Sequence, residues 1–95
     1  MKKNFPLQEE GRDAARVRDR IRQEINKYVR RERRKKLPEG FSLWEFSCRV
    51  GVDRTQAESR GLKELGGEIE RIAQDGATEV YVEIVSVPAN RSGRS

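Results

Sequence analysis

The stretch KYVRRERRKKLPEG, Lys27–Gly40, ends the longest helical pattern of the chain and separates it from the clearest strand. It carries seven Lys and Arg residues against two Glu. Pro38 disfavours a helical conformation at Leu37, and Gly40 allows the chain to reverse. We therefore expect the chain to change from helix to sheet at this point.

Upstream of this stretch, apolar residues recur every three or four positions and predict one α-helix that begins after Asp13. They are Ala14, Val17, Ile21, Ile25, Tyr28 and Val29. At about 100° per residue they share one stripe, and Asp13 is the predicted N-cap. Because Glu32 and Lys36 occupy the next positions of the stripe, we expect the last two turns to extend past the body of the domain.

The same helix has a basic side opposite its apolar stripe. Arg16, Arg20, Lys27, Arg31 and Arg34 lie within about 60° of one another and span roughly 27 Å at ~1.5 Å per residue. We call these five residues the basic face. If each of them neutralises one phosphate, the logarithm of the binding constant should fall against the logarithm of salt with a slope of about −3.5 to −4.5.

Downstream, the pattern changes to strict alternation. One face of the predicted strand is formed by Ser42, Trp44, Phe46, Cys48 and Val50. A capping box at Thr55–Glu58 indicates one possible start for a second helix. The apolar positions of that helix are Leu62, Leu65, Ile69 and Ile72, and Asp75-Gly76 is its predicted end. The last predicted strand, 79–87, has apolar residues on both faces, which favours a central place in the sheet.

These elements predict an α/β (α+β) fold, a two-layer sandwich in the order β-α-β-α-β. Lys2–Leu7 is the first strand, confined to an edge or a strand end by Pro6. Helices between strands favour crossovers, so we expect a small three-stranded sheet, mixed or parallel, with both helices on one face. Residues 1–88 form the predicted domain, and 89–95 a flexible tail.

Composition excludes several function classes. The 95 residues include one Cys and no His, so neither an internal disulfide nor a zinc site is expected. Without a histidine base or a glycine-rich phosphate loop, we predict that the protein is not an enzyme and uses no cofactor or metal. No apolar run approaches the roughly 20 residues of a membrane span or the core of a signal peptide. A soluble, cytoplasmic protein is the expectation.

Positive charge is concentrated in the first part of the chain and indicates an anionic partner. Residues 1–40 carry fourteen Lys and Arg against seven Asp and Glu, whereas residues 41–95 carry seven against nine. Arginine binds phosphates through its two-pronged guanidinium, so we predict nucleic-acid binding by the first helix and its end. The predicted contact residues are Arg16, Arg20, Lys27, Arg30, Arg31, Arg33, Arg34, Lys35 and Lys36.

Three interpretations of this basic helix remain open. The first is binding of RNA or DNA with little sequence selectivity, because the few aromatic residues predict no base-stacking platform. The second is a solvated helix end that only keeps the protein soluble. The third is a protein-interaction module, in which the helix engages an acidic partner or the exposed sheet face supports self-association.

The remaining candidate residues favour packing over binding. Trp44 and Phe46 at strand spacing are typical of a core, and so is Tyr28 at the end of the apolar stripe. Cys48 shares the face of Trp44 and Phe46, which indicates a buried and inert thiol.

Several segments resemble a family of small uncharacterised bacterial proteins, a domain of unknown function. They are residues 28–40, Trp44 with Phe46, the run 81–84, and the opening 2–7. The resemblance covers most of residues 2–88 and implies a bacterial cytoplasmic source and a shared fold. It implies no activity, ligand or site residue. Members often carry a longer, alanine-rich second helix where this chain has Gly66-Gly67.

Overall fold

A computed structural model describes residues 1–90 of the chain. Its elements are β1 (Lys2–Pro6), α1 (Ala14–Arg33), β2 (Leu43–Gly51), β3 (Glu58–Arg60), a 3-10 turn (Leu62–Glu64), α2 (Leu65–Gln74) and β4 (Glu79–Ala89). β4 extends through Pro88 to Ala89, and residues 91–95 of the predicted tail lie outside the described residues.

The four strands form one antiparallel sheet in the order β1-β4-β2-β3. The predicted three-stranded mixed or parallel sheet in the order β-α-β-α-β is therefore wrong, and the fold is α+β with the order β-α-β-β-α-β. β1 and β2 do run in the same direction, but β4 lies between them. Likewise, β2 separates β3 from β4. A helical crossover sets the relative direction of two strands and does not require that they be neighbours.

The strand that the sequence did not predict is β3, which pairs with β2. Cys48 lies opposite Arg60, and Val50 opposite Glu58. The predicted capping box is wrong, because Glu58 is in this strand and Gln56 donates its main-chain N–H to the carboxylate of Asp53 at 2.8 Å. The hairpin closes tightly, since a Cβ atom added at Gly51 would lie 2.7 Å from the Cα of Ala57.

Helix α1 begins where the sequence predicted. The carboxylate of Asp13 accepts a hydrogen bond from the Ala15 N–H at 3.3 Å, which confirms the N-cap. Val17, Ile21 and Ile25 are buried, as the apolar stripe predicted. Burying such a stripe against a sheet is the main source of stability for a helix of this kind.

Helix α2 ends at the predicted glycine. Gly76 has φ of +93° and donates its N–H to the Ala73 carbonyl at 3.1 Å, which confirms the C-cap signal. Gly66 faces α1, because an added Cβ there would lie 3.6 Å from the Nε atom of Arg22. The 3-10 turn that precedes α2 begins after Gly61.

Both helices pack on the same face of the sheet, where one core is buried. The sheet contributes Phe5, Cys48, Val50, Val80, Val82 and Ile84 to this core. β4 is an inner strand, as predicted, although helices cover only one of its faces. Ile84 is 0% exposed, whereas its neighbours on the other face, Val85 and Val87, are 40% and 41% exposed.

Candidate nucleic-acid interface

The end of α1 does not extend past the body of the domain. The helix ends at Arg33, and Glu32 is only 6% exposed. Its carboxylate accepts hydrogen bonds from the Ser86 hydroxyl at 2.8 Å and from the Lys35 ammonium at 2.7 Å. The predicted projecting turns are wrong, because Ser86 on the sheet gives a carboxylate in the apolar stripe a polar partner.

The chain after the helix is also fixed to β2. The Trp44 indole N–H donates to the Lys35 carbonyl at 3.0 Å. The guanidinium of Arg33 lies 5.5 Å from the centre of the Phe46 ring, in range of a cation–π contact. Trp44 and Phe46 are half-buried on the helix side of the sheet, and Phe46 packs against the core. The aromatic residues of β2 thus position the last turn of α1.

Glu32 is held in its charged form. The hydrogen bond from Lys35, and after it the one from Ser86, lowers the pKa of the Glu32 carboxyl below its ordinary value. A carboxyl whose pKa is lower in the folded than in the unfolded protein stabilises the fold above its unfolded pKa. That stability is lost as the pH falls through the folded pKa.

Replacing Glu32 with Gln should therefore destabilise the protein in a pH-dependent way. We expect the urea midpoint of Glu32→Gln to lie below that of the unchanged protein at pH 7, and the gap to narrow at pH 3, where Glu32 itself is neutral. Glu39→Gln, at an exposed turn, is the matched control and should leave the midpoint unchanged at pH 7. An equal gap at both pH values would contradict a role for the Glu32 charge.

All five residues of the basic face are exposed on the outer side of α1. Arg20 forms an ion pair with Glu9. Within residues 1–90 the other four, Arg16, Lys27, Arg31 and Arg34, form no ion pair with a carboxylate. Arg31 lies 5.9 Å from the centre of the Tyr28 ring, which half covers its inner side. Four cations on this face are therefore available to an external anion.

Cations on the side of α1 that faces α2 behave differently. Arg18 and Arg22 both bind the carboxylate of Glu70, at 2.9 Å and 2.8 Å. The charges that face the protein are neutralised internally, whereas most of those that face solvent are not. This contrast separates an outward anion-binding surface from the ordinary ion pairs that hold two helices together.

The nine predicted contact residues do not form one site. Arg30 extends the basic face, where it borders a shallow groove with Lys27 and Arg20. Arg33 is turned toward the groove beside β2, together with Lys63, which the sequence analysis missed. Lys35 is engaged by Glu32, and Lys36 follows the helix in the irregular segment before β2. Lys63 had no signal in the sequence, because only the fold brings it next to Arg33.

Two other kinds of site were sought within residues 1–90. No helix there is both long and apolar enough to cross a membrane. In the same range, no three His, Cys, Asp or Glu residues are grouped so that they could hold a metal ion. Cys48 is buried, and this burial raises the pKa of its thiol.

The chain belongs to the family of unknown function DUF6172, whose profile matches residues 1–95. The resemblance to a domain of unknown function is thereby confirmed. No curated protein and no solved structure matches the chain.

Proposed function

We propose that the protein binds nucleic acid, with little sequence selectivity, through the basic face of α1 and Arg30. The observation that supports this most is the set of exposed cations on the outer side of the helix, of which only Arg20 has a carboxylate partner within residues 1–90. Charges that stabilise the fold alone would be expected to pair with the protein's own carboxylates, as Arg18 and Arg22 do.

The shape of the basic face suits a phosphate backbone. From Arg16 to Arg34 it covers roughly 27 Å at ~1.5 Å per residue, which matches about eight steps of a nucleic-acid strand at ~3.4 Å each. Its side chains are flexible and reach phosphates more readily than base edges. The single aromatic side chain close by, Tyr28, is half-buried and packed against the core, so base stacking contributes little.

Two further parts of the proposal concern chemistry and location. We propose a binding role without catalysis, since no group near the basic face could act as a nucleophile or a general base. A bacterial cytoplasm is the proposed compartment. A lone buried thiol such as Cys48 is typical of reducing surroundings.

The salt dependence of binding tests the proposal. Because Arg20 is already paired, four unpaired cations remain on the basic face, and the slope of log K against log salt should be about −3.6 for duplex DNA and about −2.8 for single-stranded RNA. Fluorescence anisotropy with a labelled duplex and a labelled RNA of mixed sequence, from 50 to 200 mM salt, measures it.

Absence of binding to either nucleic acid at 50 mM salt would contradict the proposal. It would leave the competing role, in which the same face engages an acidic protein. Steep salt dependence with equal affinity for unrelated sequences is the expected result.

A further inference from the structure

One edge of β2 is unpaired over about half of the strand. β2 covers Leu43–Gly51, but β3 pairs only with its residues 48–50. The remaining part, 43–47, is about 17 Å long at ~3.4 Å per residue. An unpaired edge of this length presents main-chain groups to which another strand can add.

The ladder shows which main-chain groups point outward. Met1 and Ile84 exchange two hydrogen bonds of 2.7 Å, so the even-numbered residues of β4 bond to β1 and the odd-numbered ones to β2. By register, the odd-numbered residues of β2 face β4, and Trp44 and Phe46 face the other edge. Within residues 1–90, the one contact of their four main-chain groups is a long one, 3.9 Å from the Cys48 thiol to the Phe46 carbonyl.

The other edges of the sheet carry residues that discourage strand addition. β1 has Lys2, Lys3 and Pro6, and β4 beyond β1 has Pro88, which lacks an N–H group. Lysine and proline at edges are common protection against unwanted pairing. The open part of β2 reads LWEFS and contains neither. This edge is therefore the one left open to another strand.

A groove lies beside this edge and has a positive inner wall. Its volume is about 520 Å³, and Trp44, Phe46, Arg33, Leu62 and Lys63 line it. Arg33 and Lys63 are exposed and form no ion pair within residues 1–90. The nearby carboxylate of Glu64 is engaged by the Gly61 N–H at 2.7 Å. An incoming side chain on the helix side of the sheet would meet two available cations.

We propose that this edge binds an extended acidic segment of another protein, which adds to β2 as a further strand. Its main chain bonds to Trp44 and Phe46, and acidic side chains at alternate positions face Arg33 and Lys63. A second copy of this chain fits less well, because it would bring two Arg33–Lys63 pairs together. The chain's own final residues, RSGRS, are also basic. The site does not use the basic face of α1.

The first test uses an acetylated peptide, Glu-Thr-Glu-Thr-Glu-Thr, with Lys-Thr-Lys-Thr-Lys-Thr as its control. Amide hydrogen exchange of the full chain is followed by NMR. With free acidic peptide at about ten times Kd, exchange at the Trp44 and Phe46 amides should slow about tenfold, because the unbound fraction falls to that extent. The basic peptide should have no effect on them. Binding of the acidic peptide without protection of these amides would overturn the proposal.

The second test exchanges the charge of the groove. The double variant Arg33→Glu, Lys63→Glu should lose the acidic peptide and bind the basic one, whereas Lys27→Gln, Arg31→Gln, on the basic face, should bind as the unchanged protein does. Circular dichroism checks that each variant is folded, and the amide measurement on the unchanged protein decides the matter if one is not.

Two further results would overturn the proposal. One is protection of the Trp44 and Phe46 amides in a dimer without peptide, which would make a second copy the occupant. The other is their protection in the monomer without peptide, which would make the occupant a segment of this chain. Loss of nucleic-acid binding would leave the proposal unaffected, since the basic face is a separate surface.

Discussion

The fourfold variant Arg16→Gln, Lys27→Gln, Arg31→Gln, Arg34→Gln is expected to bind duplex DNA about a thousandfold more weakly at ~0.15 M salt. Each phosphate contact releases about 0.9 counterion, which is worth roughly five- to sixfold in affinity at that salt concentration. None of the four side chains is buried, and none pairs with a carboxylate within residues 1–90, so the fold should be unaffected. Anisotropy with the labelled duplex measures the change.

The matched control removes four positive charges elsewhere, through Lys2→Gln, Lys3→Gln, Arg54→Gln and Lys63→Gln. All four are exposed and lie outside α1. If the basic face makes the contacts, the control should lose tenfold or less, through the change in net charge. An equal loss in both variants would show that net charge, and not this face, carries the binding, and would contradict the proposed interface.

Ile84→Ala is expected to lower the free energy of unfolding by about 2–5 kcal/mol, through lost burial and the cavity that remains. Ile84 is 0% exposed and lies in the core between the sheet and the helices. Domains of this size have a total stability of about 5–14 kcal/mol. The substitution should therefore remove a large share of it, measured as a shift of the urea midpoint.

Val85→Ala, one residue further along β4, is the control. Its side chain is 40% exposed on the face that the helices do not cover, and the expected loss is within about 1 kcal/mol. Similar losses at the two positions would contradict the assignment of the core to a single face. They would indicate that both faces of β4 are covered, as a central strand with two apolar faces first suggested.

Much of the local structure could be predicted from the residues. Asp13, the apolar stripe of α1 and Gly76 act through neighbours within one or two turns, so their patterns identify helix ends. The basic face is equally local, since its geometry follows from helical spacing alone. What the residues did not indicate is which of these cations are free, because Glu9 reaches Arg20 only through the loop before α1.

The end of α1 shows why the rest was missed. Polar character at position 32 marks the end of an apolar stripe in the sequence, yet Glu32 is buried against Ser86, 54 residues away. The groove beside β2 is similar, since Arg33 and Lys63 belong to different elements and only packing brings them together. Such sites depend on partners far apart in the chain, and no short-range pattern encodes them.

By itself the sequence determined the helices, the long strands β2 and β4, and the outward basic face, because each depends on a repeat of a few residues. Only the tertiary structure decided the sheet. Three residues, Glu58–Arg60, form a strand because β2 offers them an edge, and β4 lies between β1 and β2 because apolar side chains on its inner face complete the core. Strand order is a contest between distant contacts, and it is settled by which arrangement buries the most apolar surface.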